Sequence, residues 1–393
     1  MPRYLARRLL VLLIAITLVS TMTVTAAEPN TLSPHELDEG WILLFDGTTD
    51  FGWHAAKKAD WKVADGAITV SAGEPGLLAT TSQFADYTLR LDFRAPRGTN
   101  SGVFLRTPEV PTDPTKDCYE LNIADPETSP FYTGSFVGRQ KAKEYAHSDD
   151  WQTFEVTAQG GHFVITVDGR QMLDYTDPQP LARGHIGLQL NKGQVAFRNI
   201  KLKPLGLQPI FNGRDLSGWK VFPDKKSVFS VTPEGYLNVK KGNGAIETEG
   251  HWRDFVLQLD VFSNGKFLNS GIFFRNVPGK FWQGYESQIN NGFLVERTLP
   301  IDFGTGAIYG RQKARRVVSD DFVWFHKTIV ATGNHMAVWV NGYQVSDFTD
   351  ERSPSDNPRD GKCLNPGTIA IQGHDPTTDL SFRNLRIVET PAQ

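Results

Sequence analysis

The sequence predicts an all-β protein: two tandem jelly-roll-like β-sandwiches behind an N-terminal export signal. Three observations predict it. An ordered set of short motifs occurs twice, the runs between them alternate apolar and polar with a period of two, and no long amphipathic helical pattern follows the N-terminal apolar run.

The N-terminus carries the address. Arg3, Arg7 and Arg8 precede the apolar run from Leu9 to Val19, and Thr25-Ala26-Ala27 offers small residues for cleavage ahead of Glu28. Residues 1–27 read as a secretory signal peptide, the run being short for a membrane span. The mature chain is then exported, periplasmic or extracellular, with no span left after cleavage. A net charge of −3 and 39% hydrophobic residues set aside a basic nucleic-acid binder and a disordered chain. Cys118 and Cys363 fall at non-equivalent places in the two repeats, so no disulfide framework is implied.

The duplication decides the architecture. Phe45-Asp46-Gly47 with Trp53 returns as Phe211-Asn212-Gly213 with Trp219. The run from Asp86 to Asp92 (DYTLRLD) returns from Asp254 to Asp260 (DFVLQLD), and that from Asn100 to Arg106 (NSGVFLR) from Asn269 to Arg275 (NSGIFFR). Tyr119-Glu120 answers to Tyr285-Glu286, Gly138-Arg139-Gln140-Lys141-Ala142 to Gly310-Arg311-Gln312-Lys313-Ala314, and Trp151 to Trp324. Phe197-Arg198-Asn199 closes copy one as Phe382-Arg383-Asn384 closes copy two. The spacing between equivalents widens along the chain. Copy two has gained residues, mostly in the Pro- and Asp-rich stretch 353–365, read as a surface loop. The domains are placed at 38–203 and 207–389. Lys203-Pro204-Leu205-Gly206 between them is too short for a free linker, so the halves are expected to pack together.

Within each copy the elements are strands. Tyr87 to Phe93, Phe163 to Val167 and Met336 to Val340 alternate or run apolar over strand lengths, and Asp168-Gly169 and Asn341-Gly342 follow where a tight hairpin needs positive φ. Asn269-Ser270-Gly271 is read as setting a strand start or a bulge. The paired tryptophans Trp53, Trp219, Trp151 and Trp324 are read as core.

In this order, twice, the motifs resemble the 3-keto-disaccharide hydrolase family, formerly a domain of unknown function. The resemblance spans nearly the whole mature chain. It implies a concanavalin-like jelly roll in each copy and a hydrolase, or an eliminase and hydratase, acting on glycosides already oxidised at C3. The partner is then an oxidised di- or oligosaccharide, and an upstream sugar 3-oxidase or 3-dehydrogenase must supply it. A C3 ketone acidifies the C2 proton, so a site needs a base, an acid for the leaving group and positive charge near the developing enolate.

Copy two keeps the family's polar pattern in Tyr285-Glu286-Ser287-Gln288-Ile289, Gly306-Ala307-Ile308-Tyr309 and Gln372-Gly373-His374. Copy one has Glu120 and Gln189 but Asn122, Val137 and Leu190-Asn191 at the other places, which makes copy two the working domain. Glu286, His374 and Tyr309 are the catalytic candidates, and Gln288, Arg275, Arg311, Gln372 and Glu120 the substrate-binding ones, with Lys313 a further donor. Two-residue spacing puts Glu286 with Gln288, and Gln372 with His374, on one face of a strand. Each has a plainer reading. Glu286 recurs as Glu120 and Arg275 as Arg106, which fits structural pairing, and His374 fits a loop. A non-catalytic glycan-binding protein or a structural interaction module is the alternative. No HExxH, CxxC pair, Walker loop or GxSxG elbow is present. No ligand spacing requires a cofactor, although the residue types of copy two leave a divalent metal open.

Overall fold

In a computed structural model of the chain, residues 28–392 are described, and the signal-peptide reading of residues 1–27 lies outside them. The fold is all-β, with two sandwiches in tandem. Each copy opposes an eight-stranded to a five-stranded antiparallel sheet. The five-stranded sheet of copy one runs Trp53–Ala55, Gly76–Thr80, His185–Leu190, Asn100–Thr107, Tyr119–Ala124. That of copy two runs Trp219–Val221, Gly244–Thr248, Thr368–Gly373, Ser270–Asn276, Tyr285–Ile289, the same order element for element. The duplication read from motifs is thus a duplication of topology.

Alternation explains the layers. In strand Tyr87–Arg94 the side chains of Tyr87, Leu89, Leu91 and Phe93 face inward and are buried, while Thr88 and Arg90 face out. The hairpins turn as the sequence requires: φ is +50° at Asp168 and +78° at Gly169, and +48° at Asn341 and +74° at Gly342. Among the described residues the one α-helix is short. Pro34–Asp38 is started by a capping box in which Ser33 and Glu36 bond each other's backbone N–H.

One expectation needs correction. Trp53 and Trp219 are core residues whose Nε1 donates to Leu44 O and Ile210 O. Trp151 and Trp324 are instead only half-buried, capped by the guanidinium groups of Arg198 and Arg383 at 4.2 Å from the ring centroid. Core position holds for one pair alone. The strand starts at Ser270, as Asn269-Ser270-Gly271 implies, and its register breaks further on, between Phe273 and Asn276, where Arg275 has φ +46°.

The halves pack together through a continuous apolar seam. Val256, Val330, Ala337 and Trp339 of copy two belong to the core of copy one, and Trp339 Nε1 donates to Leu43 O at 2.8 Å. Arg183 pairs with Asp254 at 2.7 Å, and Arg315 with Asp46 at 2.8 Å, across the same boundary. Trp339→Ala is expected to lower stability by about 3–5 kcal/mol, the usual cost of emptying a buried tryptophan site. Urea unfolding should then show copy one losing its common transition with copy two.

Candidate active site

Strand Tyr285–Ile289 turns Tyr285 and Ile289 into the core, which leaves Glu286 and Gln288 on the outer face of the five-stranded sheet. Two strands away, Thr368–Gly373 turns Ile369 and Ile371 inward and Gln372 outward, and His374 follows at its end. The strand between them offers Gly271, paired with Gln288, while its neighbour Ile272 is paired with Ile371. Gly271 therefore floors the space between the two polar rows. A Cβ there would lie 2.3 Å from Glu286 Oε1, so the glycine is what lets the carboxyl lie against the sheet. Gly271→Ala is expected to displace that carboxyl and cut any turnover at this site at least about tenfold, by misplacement of a reacting group. A steady-state assay checks it, with circular dichroism to confirm the fold.

These residues share one cavity of about 300 Å³, lined by Asn269, Trp282, Glu286, Gln288, Tyr309, Arg359, Gln372 and His374. Five of the eight sequence candidates line it: Glu286, Gln288, Tyr309, Gln372 and His374. The others do not. Arg275 is fully buried outside it, because the positive-φ kink turns its side chain away to donate to Arg253 O, Gly333 O and Cys363 O and to pair with Asp254. Arg106 makes the matching set of bonds in copy one, which marks the arginine as a structural clamp. Arg311 stands behind the wall and donates to Arg359 O at 2.6 Å. Lys313 lies over the Phe303 ring instead of in the cavity. Glu120 occupies the equivalent place in copy one.

Arg359 and Trp282 were not legible as site residues. Arg359 comes from the extra stretch 353–365, read as a mere surface loop, and its Nη2 donates to Glu286 Oε2 at 2.6 Å. The one signal was that the insertion is confined to the copy with the fuller polar pattern. Arg352 pins this loop by donating to Pro358 O and Gly361 O while paired with Asp350. Arg359 Nε also donates to Trp282 O, holding Trp282 at φ +65° with its ring stacked on Phe281 and 43% exposed. One face of that indole is covered, and the side chain lines the cavity mouth.

Electrostatics set the site apart from its surroundings. Burial raises the Glu286 carboxyl above the ordinary carboxylate range, even against the opposing charge of Arg359. His374 Nδ1 faces Asp375 Oδ2 at 2.9 Å. Burial works against the Asp375 carboxylate, but hydrogen bonds from Thr377 and His374 outweigh it and hold the group below its usual range. A charged Asp375 fixes the imidazole proton on Nδ1, leaving Nε2 as an acceptor beside Asn269 Nδ2 at 3.4 Å. Gln288 is held by donating to Asp302 Oδ2 at 2.8 Å, and Asn269 donates to the same carboxylate. Gln372 Oε1 and Asn269 Oδ1 are buried without a partner among the described residues. The arrangement can therefore bind hydroxyls, donate a proton, accept one and present a guanidinium beside the carboxyl. Among the described residues no group of three or more His, Cys, Asp or Glu side chains is arranged to hold a metal ion.

Copy one lacks this set. Glu120 is buried and raised by desolvation, with Gln189 as its hydrogen-bond partner and no guanidinium. Arg139 turns to Asp177 and Cys118 O, and the cavity on that face is lined largely by Leu77, Phe104, Val110, Pro111 and Pro114.

A family profile described as the 3-keto-alpha-glucoside-1,2-lyase-like domain matches residues 40–203 and again residues 206–388. A 3-keto-disaccharide hydrolase of Bacteroides thetaiotaomicron is 25% identical over 46% of this chain and 83% of its own length. Among solved structures, a Parabacteroides distasonis protein provisionally assigned as a glycosyl hydrolase is 19% identical, covering 46% of this chain and 100% of its own, with a TM-score of 0.41. The carbohydrate-binding module CBM66 of Bacillus subtilis is 17% identical, covering 38% of this chain and 94% of its own, with a TM-score of 0.31. Among the described residues no helix is long and apolar enough to cross a membrane.

Proposed function

The chain belongs to the 3-keto-alpha-glucoside-1,2-lyase-like family, and from that premise we propose that it is an exported enzyme whose copy two cleaves the glycosidic bond of 3-keto-glycosides. One observation carries the reading: a desolvated carboxyl, an Asp-oriented imidazole and a guanidinium line one cavity of sugar size, and only in copy two. His374 Nε2 takes the C2 proton, which the neighbouring ketone has made acidic. The electron pair moves towards the C3 oxygen, where Arg359 and the Tyr309 hydroxyl supply positive charge and a donor. This replaces Arg275, whose bonds are all spent on the fold. Glu286, whose carboxyl burial raises above the ordinary range, in its protonated form gives its proton to the C1 oxygen as that bond breaks, so proton and alkoxide leave as an alcohol. Water then adds across C1 and C2. Gln288, Gln372 and Asn269 hold ring hydroxyls, and the open face of Trp282 takes a sugar ring.

The sugar reaches this domain outside the cytoplasm, as the N-terminal signal reading implies, from an enzyme that oxidises C3. Copy one supports copy two through the shared core and has no catalytic role. The test is incubation of the full chain with a 3-keto-disaccharide beside its unoxidised parent. Release of monosaccharide from the ketone alone is expected. Equal release from both substrates, or binding of both with turnover of neither, would sink the reading and favour a glycan-binding protein.

A further inference from the structure

Strand Trp324–Thr332 turns Phe325, Lys327, Ile329 and Ala331 towards the interior of copy two, and all four are buried. Three are apolar, as a sandwich core demands. Lys327 is not. Its register neighbours are Leu259 and Val340, both buried. At the same place in copy one, between Leu91 and Val167, stands Phe154, whose ring stacks on Phe93 at 4.4 Å. Packing alone gives no reason for the exchange, because a buried ammonium is costly unless something holds its charge.

What holds it lies on the opposite sheet. Lys327 Nζ donates to Gln288 O at 2.9 Å and Ser287 O at 3.2 Å. These carbonyls belong to the strand whose outer face presents Glu286 and Gln288 to the cavity. Ser287 Oγ, on the inner side, is buried without a partner among the described residues. Desolvation pushes the Lys327 ammonium down to about 7, and Glu286 is the charged group that opposes this. Glu286 in turn feels Arg359 at 2.6 Å, together with His374 and Asp302.

We propose that Lys327 is a positioning residue for Glu286. From inside the sandwich it clamps strand Tyr285–Ile289 through two carbonyls and sets a positive charge behind the carboxyl, so that the charge on one depends on the charge on the other. This rests on Glu286 being the proton-transfer group of the site. It also separates the copies by a second criterion, since Phe154 offers Glu120 no such charge.

The test uses the full chain with carboxyl-labelled glutamate, the Glu286 signal being assigned by its loss in Glu286→Gln. In Lys327→Met the Glu286 midpoint should rise by about one pH unit, a tenfold change in proton affinity. Thermal melting gives a second readout. Wild-type Lys327 releases its proton in the folded state at about 7, against 10.5 for the ordinary side chain, so between those values the unfolded chain holds more protons. Wild-type stability therefore gains from rising pH across that window and Lys327→Met does not, so the variant should melt higher at pH near 6 with the gap closing towards pH near 10. Should Lys327→Met not fold, Lys327→Phe, the residue copy one accommodates, carries the same measurement. An unchanged Glu286 midpoint in a folded variant overturns the proposal. Absence of ketone turnover in the wild type would overturn the enzymatic reading alone, because the Glu286 midpoint is measured without substrate.

Discussion

Replacing His374 by alanine is expected to lower kcat/KM for a 3-keto-disaccharide by about 10²- to 10⁴-fold, the range over which a positioned proton-transfer group contributes. The imidazole is oriented from behind by Asp375 and lies at the end of a strand anchored in the core, so its loss removes a base without disturbing the sheet. Asp375→Asn should cost less in rate. It would leave the ring in place but free the Nδ1 proton, so the pH profile should change more than KM. An alanine variant with full turnover would place the base elsewhere.

The second large effect is expected at Arg359. Arg359→Met should lower kcat/KM by about 10²- to 10³-fold, the usual loss when one donor to a developing oxyanion is removed. It should also raise the Glu286 midpoint further, since burial then acts with no guanidinium to oppose it. The sign matters for pH dependence. A carboxyl whose folded midpoint lies above its unfolded one stabilises the fold at low pH, and that contribution is lost as pH rises through the folded midpoint. If Glu286 acts as the acid, activity falls along the same rise, and in Arg359→Met the fall moves to higher pH. Arg311→Ala, which removes a bond to the Arg359 carbonyl, should produce a weaker version of both effects.

The duplication and the strand character of each copy were legible because both write themselves locally. A two-residue period places Glu286 beside Gln288 and Gln372 beside His374 whatever the rest of the chain does. Their meeting in one cavity needed the sheet order, with Gly271 between them, which the motifs implied only through the resemblance. Arg275 misled for a physical reason: its strand breaks register there, and a left-handed residue aims its side chain off the ladder. Arg359 and Trp282 were hidden because they reach the cavity from irregular chain, held by bonds to backbone carbonyls that no periodicity announces. Lys327 was not singled out from the sequence, because its strand also carries His326, Thr328 and Thr332 and only the fold shows that it shares the inward row of Phe325, Ile329 and Ala331. Only its alignment with Phe154 shows that the fold could have done without it.

The most direct measurement is proton NMR of the full chain with a 3-keto-disaccharide in deuterated water. The account predicts loss of the C2 proton signal, release of the leaving sugar and a product carrying deuterium at C2. All three should fail in His374→Ala, the release of sugar should fail in Glu286→Gln, and all three should persist in Glu120→Gln. Release of sugar with the C2 proton retained, or activity that follows Glu120 instead of Glu286, would contradict it.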